Sequence, residues 1–119
     1  MMLFAKMAAM LKGQVAPRLP ISYTVNGGGS VAAANPATIT SVPLGAADPT
    51  RLVVATIFWA NSSARTVSSA TINGAPATII QQTSSSEIGI AIVQADLSGT
   101  NATSGAVVVT FSGAVTGNV

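Results

Sequence analysis

The sequence predicts an all-β protein: an antiparallel β-sandwich of the immunoglobulin-like or jelly-roll type, preceded by a short N-terminal α-helix and an extended arm. Segments rich in Val, Ile and Thr recur every 8–12 residues or so between turn residues, which is the strand spacing of sandwiches. No helical pattern interrupts these segments, and this argues against a parallel α/β sheet. Helical spacing is confined to the start of the chain.

Residues 1–13 are predicted to form an amphipathic helix that ends at Gly13. Strong helix formers fill this segment, and Lys6 and Lys12 lie away from its apolar face. That face consists of Leu3, Phe4, Met7, Met10 and Leu11. Because methionine adapts to irregular surfaces, we expect this face to anchor the protein on a partner. Two alternatives are a helix that caps its own domain and a secretion leader at residues 1–16.

Residues 14–36 are predicted to form an extended arm. Three prolines interrupt this segment, and Gly27-Gly28-Gly29 is typical of a flexible linker because no lysine follows it as in a phosphate-binding loop. Residues 21–25 alternate between apolar and polar side chains, which predicts a short strand. We expect Tyr23 and Val25 in this strand to join the partner-binding residues.

Residues 37–119 are predicted to form the β-sandwich domain. The predicted strands span residues 38–42, 51–60, 66–72, 77–82, 87–95 and 106–112, and residues 115–119 approach one more. Asn73-Gly74 predicts a two-residue hairpin turn because both residues tolerate a positive φ. The segment 51–60 is apolar on both faces, so we expect it in the centre of the sheet.

The aromatic side chains of this domain have predictable directions. Phe58 and Trp59 are adjacent in a strand and therefore face opposite sides of the sheet. Trp59 shares its parity with Val53 and Ile57, which predicts that it points inward. We expect a partner to cover Phe58 on the other side, and we expect Phe111 to lie in the core.

The domain is shorter than its predicted fold requires. A seven-stranded sandwich usually takes about 100 residues, and residues 37–119 are fewer. We therefore expect the last strand to be missing, supplied either by further residues beyond Val119 or by a partner. An unpaired sheet edge accepts a donated strand, and residues 21–25 of a neighbouring copy are one candidate donor.

The charge content excludes several classes of function. Charged residues make up 7% of the chain against about 25% in a typical domain, and the chain has no His and no Cys. A cysteine nucleophile, a thiolate metal site and an imidazole base are thereby excluded. The few cations form no cluster for nucleic acid, and no apolar run is long enough for a membrane helix. We expect no cofactor, no nucleic-acid partner and no membrane partner.

Three carboxylates remain as candidates for acid–base chemistry: Asp48, Glu87 and Asp96. Asp48 precedes Pro49, where an aspartate usually forms an Asx-turn, and its carboxylate can also meet Arg51. Glu87 opens a predicted strand and Asp96 ends it, so both are expected to face water or turns. A calcium site built on Asp48 and Asp96 is an alternative that has no loop motif behind it. We predict that the protein is not an enzyme.

Three segments carry a resemblance to a known family: residues 44–54 (LGAADPTRLVV), 67–79 (VSSATINGAPATI) and 105–113 (GAVVVTFSG). In this order they resemble small β-sandwich structural proteins of tailed bacteriophages and prophages, which are found among virion components. The likeness covers about residues 37–115 and leaves the helix and the arm outside. Members of this family usually continue into one more strand, and no catalytic residues are implied.

The resemblance implies a virion structural protein, assembled in the bacterial host cytoplasm. We expect a capsid decoration, head-fibre or tail-appendage subunit, anchored by its helix and arm. Its partners would be other virion proteins, namely capsid, neck or tail subunits, and it would form a homo-oligomer in a symmetric assembly. The alternatives are a host-surface or glycan-binding module that uses loops 61–65, 83–87 and 96–105, and a secreted bacterial adhesion domain.

Overall fold

The fold between residues 23 and 119 is all-β, as predicted. A computed structural model describes these residues, so the predicted helix at 1–13 and the arm up to residue 22 lie outside the described part of the chain. The strands are β1 (Ala37–Pro43), β2 (Leu52–Ala60), β3 (Val67–Ile72), β4 (Ala75–Ser84), β5 (Ile88–Asp96) and β6 (Ser104–Phe111). Residues 23–119 contain no helix.

The six strands form one curled sheet in the order β1-β6-β3-β4-β5-β2. Every pair of neighbours is antiparallel. The hairpin turn between β3 and β4 is the predicted one, with φ of 50° at Asn73 and 79° at Gly74. Because the strands follow one another in a single hydrogen-bonded sheet, the predicted division into the two sheets of a sandwich is not confirmed.

Strand β4 is the place where the sheet bends. Its first residues, 75–77, pair with β3, while residues 78–84 pair with β5, and the register shifts between Ile79 and Gln81. Beyond this bulge β3 and β4 diverge, and a side chain fills the gap. Gln82 Oε1 accepts a bond from the Val67 N–H at 2.8 Å, and Gln82 Nε2 donates to the Val67 carbonyl at 3.2 Å. One amide thus replaces two ladder bonds that the backbones no longer make.

The core lies on the concave face of the curled sheet. Its larger buried side chains are Leu44, Ile57, Trp59, Val67, Ile72, Val93, Leu97, Val107, Val109 and Phe111. Trp59 points inward with 2% of its surface exposed, and Phe111 is buried beside it, which confirms both predictions. Their ring centroids are 5.2 Å apart and their planes are tilted by 56°. A tilted pair at this distance is a favourable aromatic contact.

The position of β2 differs from the prediction. The segment 51–60 was expected in the centre of the sheet, but β2 is an edge strand that pairs only with β5 among the described residues. An apolar pattern on both sides of a strand concerns what covers its two faces and does not set how many strands pair with it, and the outward side of β2 is uncovered within residues 23–119. Phe58 on this side is 63% exposed, although it is as apolar as the residues that face the core.

The last residues of the chain close one end of the curl. Gly117 donates its N–H to the Ala60 carbonyl at 3.0 Å, and Ala60 donates to the Asn118 carbonyl at 3.2 Å. Val119 and Val31 exchange two backbone bonds of 3.0 Å each. Residues 117–119 therefore lie between the end of β2 and the arm. They run antiparallel to both, in the position where the next strand was expected.

Candidate functional site

The outward surface of β2, β5 and β4 is apolar, and we call it the outer apolar face. Its exposed members are Leu52, Val54, Phe58, Ile80, Ile88 and Ile92. Phe58 lies directly opposite the half-buried Ile90 across the β2–β5 pair, and Thr56 lies opposite Ile92. The isoleucines of β5 and Phe58 therefore lie side by side, whereas Leu52 and Val54 lie opposite Asp96 and Gln94. Contiguous exposed apolar surface marks sites of interaction with other molecules.

The same strand, β2, has an unpaired backbone edge. In an antiparallel pair, successive residues bond alternately to the two sides of the strand. Leu97 donates to the Arg51 carbonyl at 3.0 Å and Asn61 donates to the Glu87 carbonyl at 2.8 Å, so the odd-numbered residues bond to β5. The even-numbered residues direct their N–H and C=O groups away from the sheet. Among these, Ala60 bonds to residues 117 and 118.

Four residues of this edge have no backbone partner within residues 23–119: Leu52, Val54, Thr56 and Phe58. We call them the free edge of β2. Unpaired edge groups are a template for pairing with another chain, and proteins commonly cover or charge such edges. Within residues 23–119 no backbone covers these four residues, and no charged side chain lies between residues 52 and 60.

A cleft of about 1880 Å³ lies beside the free edge. One wall is β2 along its whole length, and the other wall is formed by β1 and by arm residues 23–30. The half-buried Ile39 and Val42 of β1 contribute to the apolar interior, together with Val53 and Ala55 of β2. These side chains pack against the core on one side and line the cleft on the other.

The predicted anchor residues divide into two groups. Leu3, Phe4, Met7, Met10 and Leu11 lie outside the described residues. Tyr23 and Val25 are 90% and 87% exposed, and both line the cleft. An exposed Phe58 and an unpaired sheet edge were both expected from the sequence, but the sequence did not place either feature on an edge strand formed by residues 52–60. Their signal was the two-faced apolar pattern of residues 51–60, which was interpreted as a central strand.

The carboxylates of Asp48 and Asp96 accept hydrogen bonds that stabilise turns. Asp48 accepts bonds from the Thr50 N–H at 2.7 Å and the Thr50 hydroxyl at 2.6 Å, which are the predicted Asx-turn contacts. These bonds from Thr50 lower the pKa of Asp48, and the nearby Arg51 charge adds a smaller effect. Ser98 holds the Asp96 carboxylate in the same way, with its N–H at 2.8 Å, and lowers the pKa of Asp96. Residues 23–119 hold no cluster of three potential metal-ligating side chains.

Arg51 is a buried cation that holds two loops together. It does not use Asp48 as its partner, contrary to one expectation from the sequence. Its Nη1 donates to the carbonyls of Gly45 and Ala46 at 3.1 Å, and its Nη2 donates to the Thr100 hydroxyl at 2.8 Å. The loop before β2 is thereby tied to the loop after β5, and this shapes one end of the cleft.

The arrangement as a whole is suited to binding a polypeptide by its backbone. The free edge offers donors and acceptors, and the cleft offers mainly apolar surface. The charged side chains in its lining, Asp48 and Arg51, lie just before β2 and are bonded to Thr50 and to loop carbonyls. Within residues 23–119 there is no helix that could span a bilayer. Comparison of the chain with protein-family models, curated proteins and solved structures gave no match.

Proposed function

We propose that this protein is a non-enzymatic structural subunit of a bacteriophage virion that works by binding other protein subunits. The observation that carries the proposal is that one strand, β2, has both an unpaired backbone edge and an exposed apolar side. β2 has a free backbone edge at four residues and also exposes Leu52, Val54 and Phe58 on its outer side. Another polypeptide can pair with the free edge and cover the exposed side chains, whereas a small ligand of ordinary size cannot do both.

The exposed apolar side chains would contribute favourably to assembly. Burying a large apolar side chain contributes about 1.5–3 kcal/mol when the burial is complete. The six exposed members of the outer apolar face are each more than a third exposed. Covering them together would contribute several kcal/mol before the cost of association. Repetition of this contact in a symmetric particle would add avidity.

The low charge of the chain supports the same proposal. Five cations and three anions in 119 residues give a free monomer little electrostatic protection against self-association. In a subunit that is buried in an assembly, this deficiency is harmless. We therefore propose that the protein forms a homo-oligomer and also contacts capsid, neck or tail subunits.

The virion setting comes from the resemblance of residues 44–54, 67–79 and 105–113 to tailed-phage proteins. Within it we propose a capsid decoration, head-fibre or tail-appendage subunit, anchored by the predicted helix at 1–13. The sandwich class belongs to the proposal as well. β4 changes its partner from β3 to β5 at a bulge, as strands do when they turn the corner between two sheets.

Mass spectrometry of purified particles tests the proposal. Particles are induced from the bacterium that carries the gene and are separated on a density gradient. We expect peptides of this chain in the particle fraction, at a copy number that is a multiple of a symmetric site. Deleting residues 1–13 in the gene should remove the chain from particles.

Two outcomes would overturn the proposal. Particles that lack the chain altogether exclude a virion component, and undiminished incorporation without residues 1–13 excludes the helix as the anchor. Specific binding of the purified full chain to host cells or glycans, with no incorporation into particles, would favour the host-surface module instead.

A further inference from the structure

We propose that the cleft beside β2 is a strand-accepting site and that its occupant is residues 21–25 of a second copy of this chain. The inference rests on the proposed function and deepens it, because it names the partner and the contact. The occupant would hydrogen-bond to the free edge of β2 and would complete the sheet on that side.

Residues 117–119 show where one end of the added strand would lie. Residues 117–119 lie beside Ala60 and Val31 and bond to both through their backbones. They run antiparallel to β2. A strand extended in the same direction would pass Phe58, Thr56 and Val54 along the free edge. A strand placed there would lie about 4.8 Å from β2 and would satisfy the unpaired groups in turn.

The cleft is large enough to hold an added strand. A residue in a packed strand occupies a space of about 3.3 by 4.8 by 10 Å, or roughly 160 Å³. The cleft of about 1880 Å³ therefore has room for about a dozen such residues, including its open mouth. Residues 21–25 fit with space to spare. A whole second sheet does not fit, since arm residues 23–30 form the opposite wall.

The chemistry of the cleft matches this segment. The inner wall contains Val53, Ala55 and Ile39, which are only half-buried and need an apolar cover. Residues 21–25 alternate Ile, Ser, Tyr, Thr and Val, so one side of an added strand would be apolar and the other polar. No charged residue lies between positions 19 and 47, so the donor segment itself would carry no charge into the cleft.

The proposed donor is another copy of the chain. Tyr23 and Val25 of the described chain belong to the wall of its own cleft, so they cannot also fill it. They are nevertheless the most exposed large apolar side chains between residues 23 and 119. When two copies exchange residues 21–25, the same contact covers Tyr23 and Val25 and fills the cleft, as in domain swapping.

The flanking residues suit a donated strand. Gly27 has a φ of +107°, which glycine adopts without strain, so the backbone can change direction just after Val25. Pro20 precedes the segment and has no N–H, which ends the ladder at that point. We expect Tyr23 and Val25 to face the core and Thr24 to face outward, beside Thr56 or Val54.

Disulfide trapping between copies tests the inference, and the native chain has no cysteine to interfere. Full-length Thr24→Cys protein is mixed with full-length Thr56→Cys or Val54→Cys protein under mild oxidation. We expect a cross-linked heterodimer with one of these two partners, because paired strands bring the two Cα atoms within disulfide range. Ser69→Cys, at an exposed position of β3, is the matched control and should give no link with Thr24→Cys.

A charge scan adds a second measurement that does not depend on register. Tyr23→Asp and Val25→Asp should weaken self-association by about a hundredfold or more, because each would bury a carboxylate in the apolar cleft. Thr24→Asp, on the outward side, should change the association constant less than threefold. Sedimentation of the full chain over a concentration series gives these constants.

Three results would overturn the inference. One is efficient linking of Thr56→Cys to itself without any Thr24 link, which means that two β2 edges meet. Another is a disulfide within one molecule of the Thr24→Cys, Thr56→Cys double variant, which means that the chain fills its own cleft. The third is an oligomer with no cross-link and no response to Tyr23→Asp. In that third case the proposed function stands, since particle incorporation is measured separately.

Discussion

Trp59 and Gly89 lie directly opposite each other across β2 and β5, and the indole of Trp59 occupies the space where a side chain of residue 89 would stand. The Trp59 side chain is 2% exposed and also packs against the ring of Phe111. A glycine at position 89 is therefore what allows the largest side chain of the core to lie flat against the neighbouring strand. The contact also sets which side of β2 faces the core.

We predict that Gly89→Ala destabilises the protein. The added methyl group would overlap the buried Trp59 indole, and overpacking of this kind typically costs about 1–3 kcal/mol. Urea denaturation followed by tryptophan fluorescence measures the free energy of unfolding. Gly28→Ala is the matched control, because a methyl group there meets nothing within 4 Å. Equal stability of the two variants would contradict the overlap.

We predict that Gln82→Ala lowers the free energy of unfolding by about 1–3 kcal/mol, since two hydrogen bonds are lost and the backbone groups of Val67 are left partly buried and unpaired. Gln81→Ala, one residue earlier on an exposed position, should change stability by less than about 0.5 kcal/mol. Thermal and urea denaturation of both variants check the difference. Similar losses at both positions would show that the bridge between β3 and β4 adds nothing.

We predict that Phe58→Ser separates assembly from folding. Phe58 is 63% exposed, so its replacement should change the free energy of unfolding of the monomer by less than about 1 kcal/mol. If the outer apolar face is buried in the oligomer, the same change should shift light-scattering mass toward the monomer. Thr56→Ser on the same strand is the control and should keep the native mass. A variant that unfolds, or one that assembles normally, would argue against a contact at this face.

We predict that stability is nearly constant from about pH 5 to pH 8 and falls as the solution becomes more acidic. The pKa of Asp48 and the pKa of Asp96 are lowered in the folded state by bonds from Thr50 and Ser98. A lowered pKa means that the charged form stabilises the fold above the ordinary value of 3.8, and that this contribution disappears as the pH falls through the lowered pKa. The chain has no histidine to add a transition near neutral pH.

Urea midpoints between pH 2 and pH 8 measure this dependence. Asp48→Asn, which keeps an acceptor oxygen for Thr50 and removes the titrating group, should flatten the acid limb of the curve. An unchanged acid limb in this variant would show that the Thr50 contacts are equally strong in the protonated and charged forms.

Much of the local structure could be predicted from the chain alone. The six strands follow from alternating or continuous runs of β-branched residues between turns, and the Asn73-Gly74 hairpin follows from the tolerance of both residues for positive φ. The inward direction of Trp59 follows from parity with its neighbours. These features depend on a few residues at a time, so pattern and propensity are sufficient to find them.

The position of each strand in the sheet required the tertiary structure. The apolar run at residues 51–60 has the same composition whether it is covered by a second layer of this chain or by another molecule. Only the pairing order shows that β2 is an edge and that Leu52, Val54 and Phe58 are uncovered. The bend at Gln82 and the loop contacts of Arg51 likewise join residues that are distant in sequence.

The sequence by itself determined the all-β class of the fold, the approximate positions of its strands and its low content of charged residues. The tertiary structure decided where the chain is left unsatisfied, at the free edge of β2 and the cleft beside it. The physical reason is that propensity and periodicity depend on residues that are close together in the sequence. Whether a strand has an unpaired edge depends on the order of all strands in the sheet.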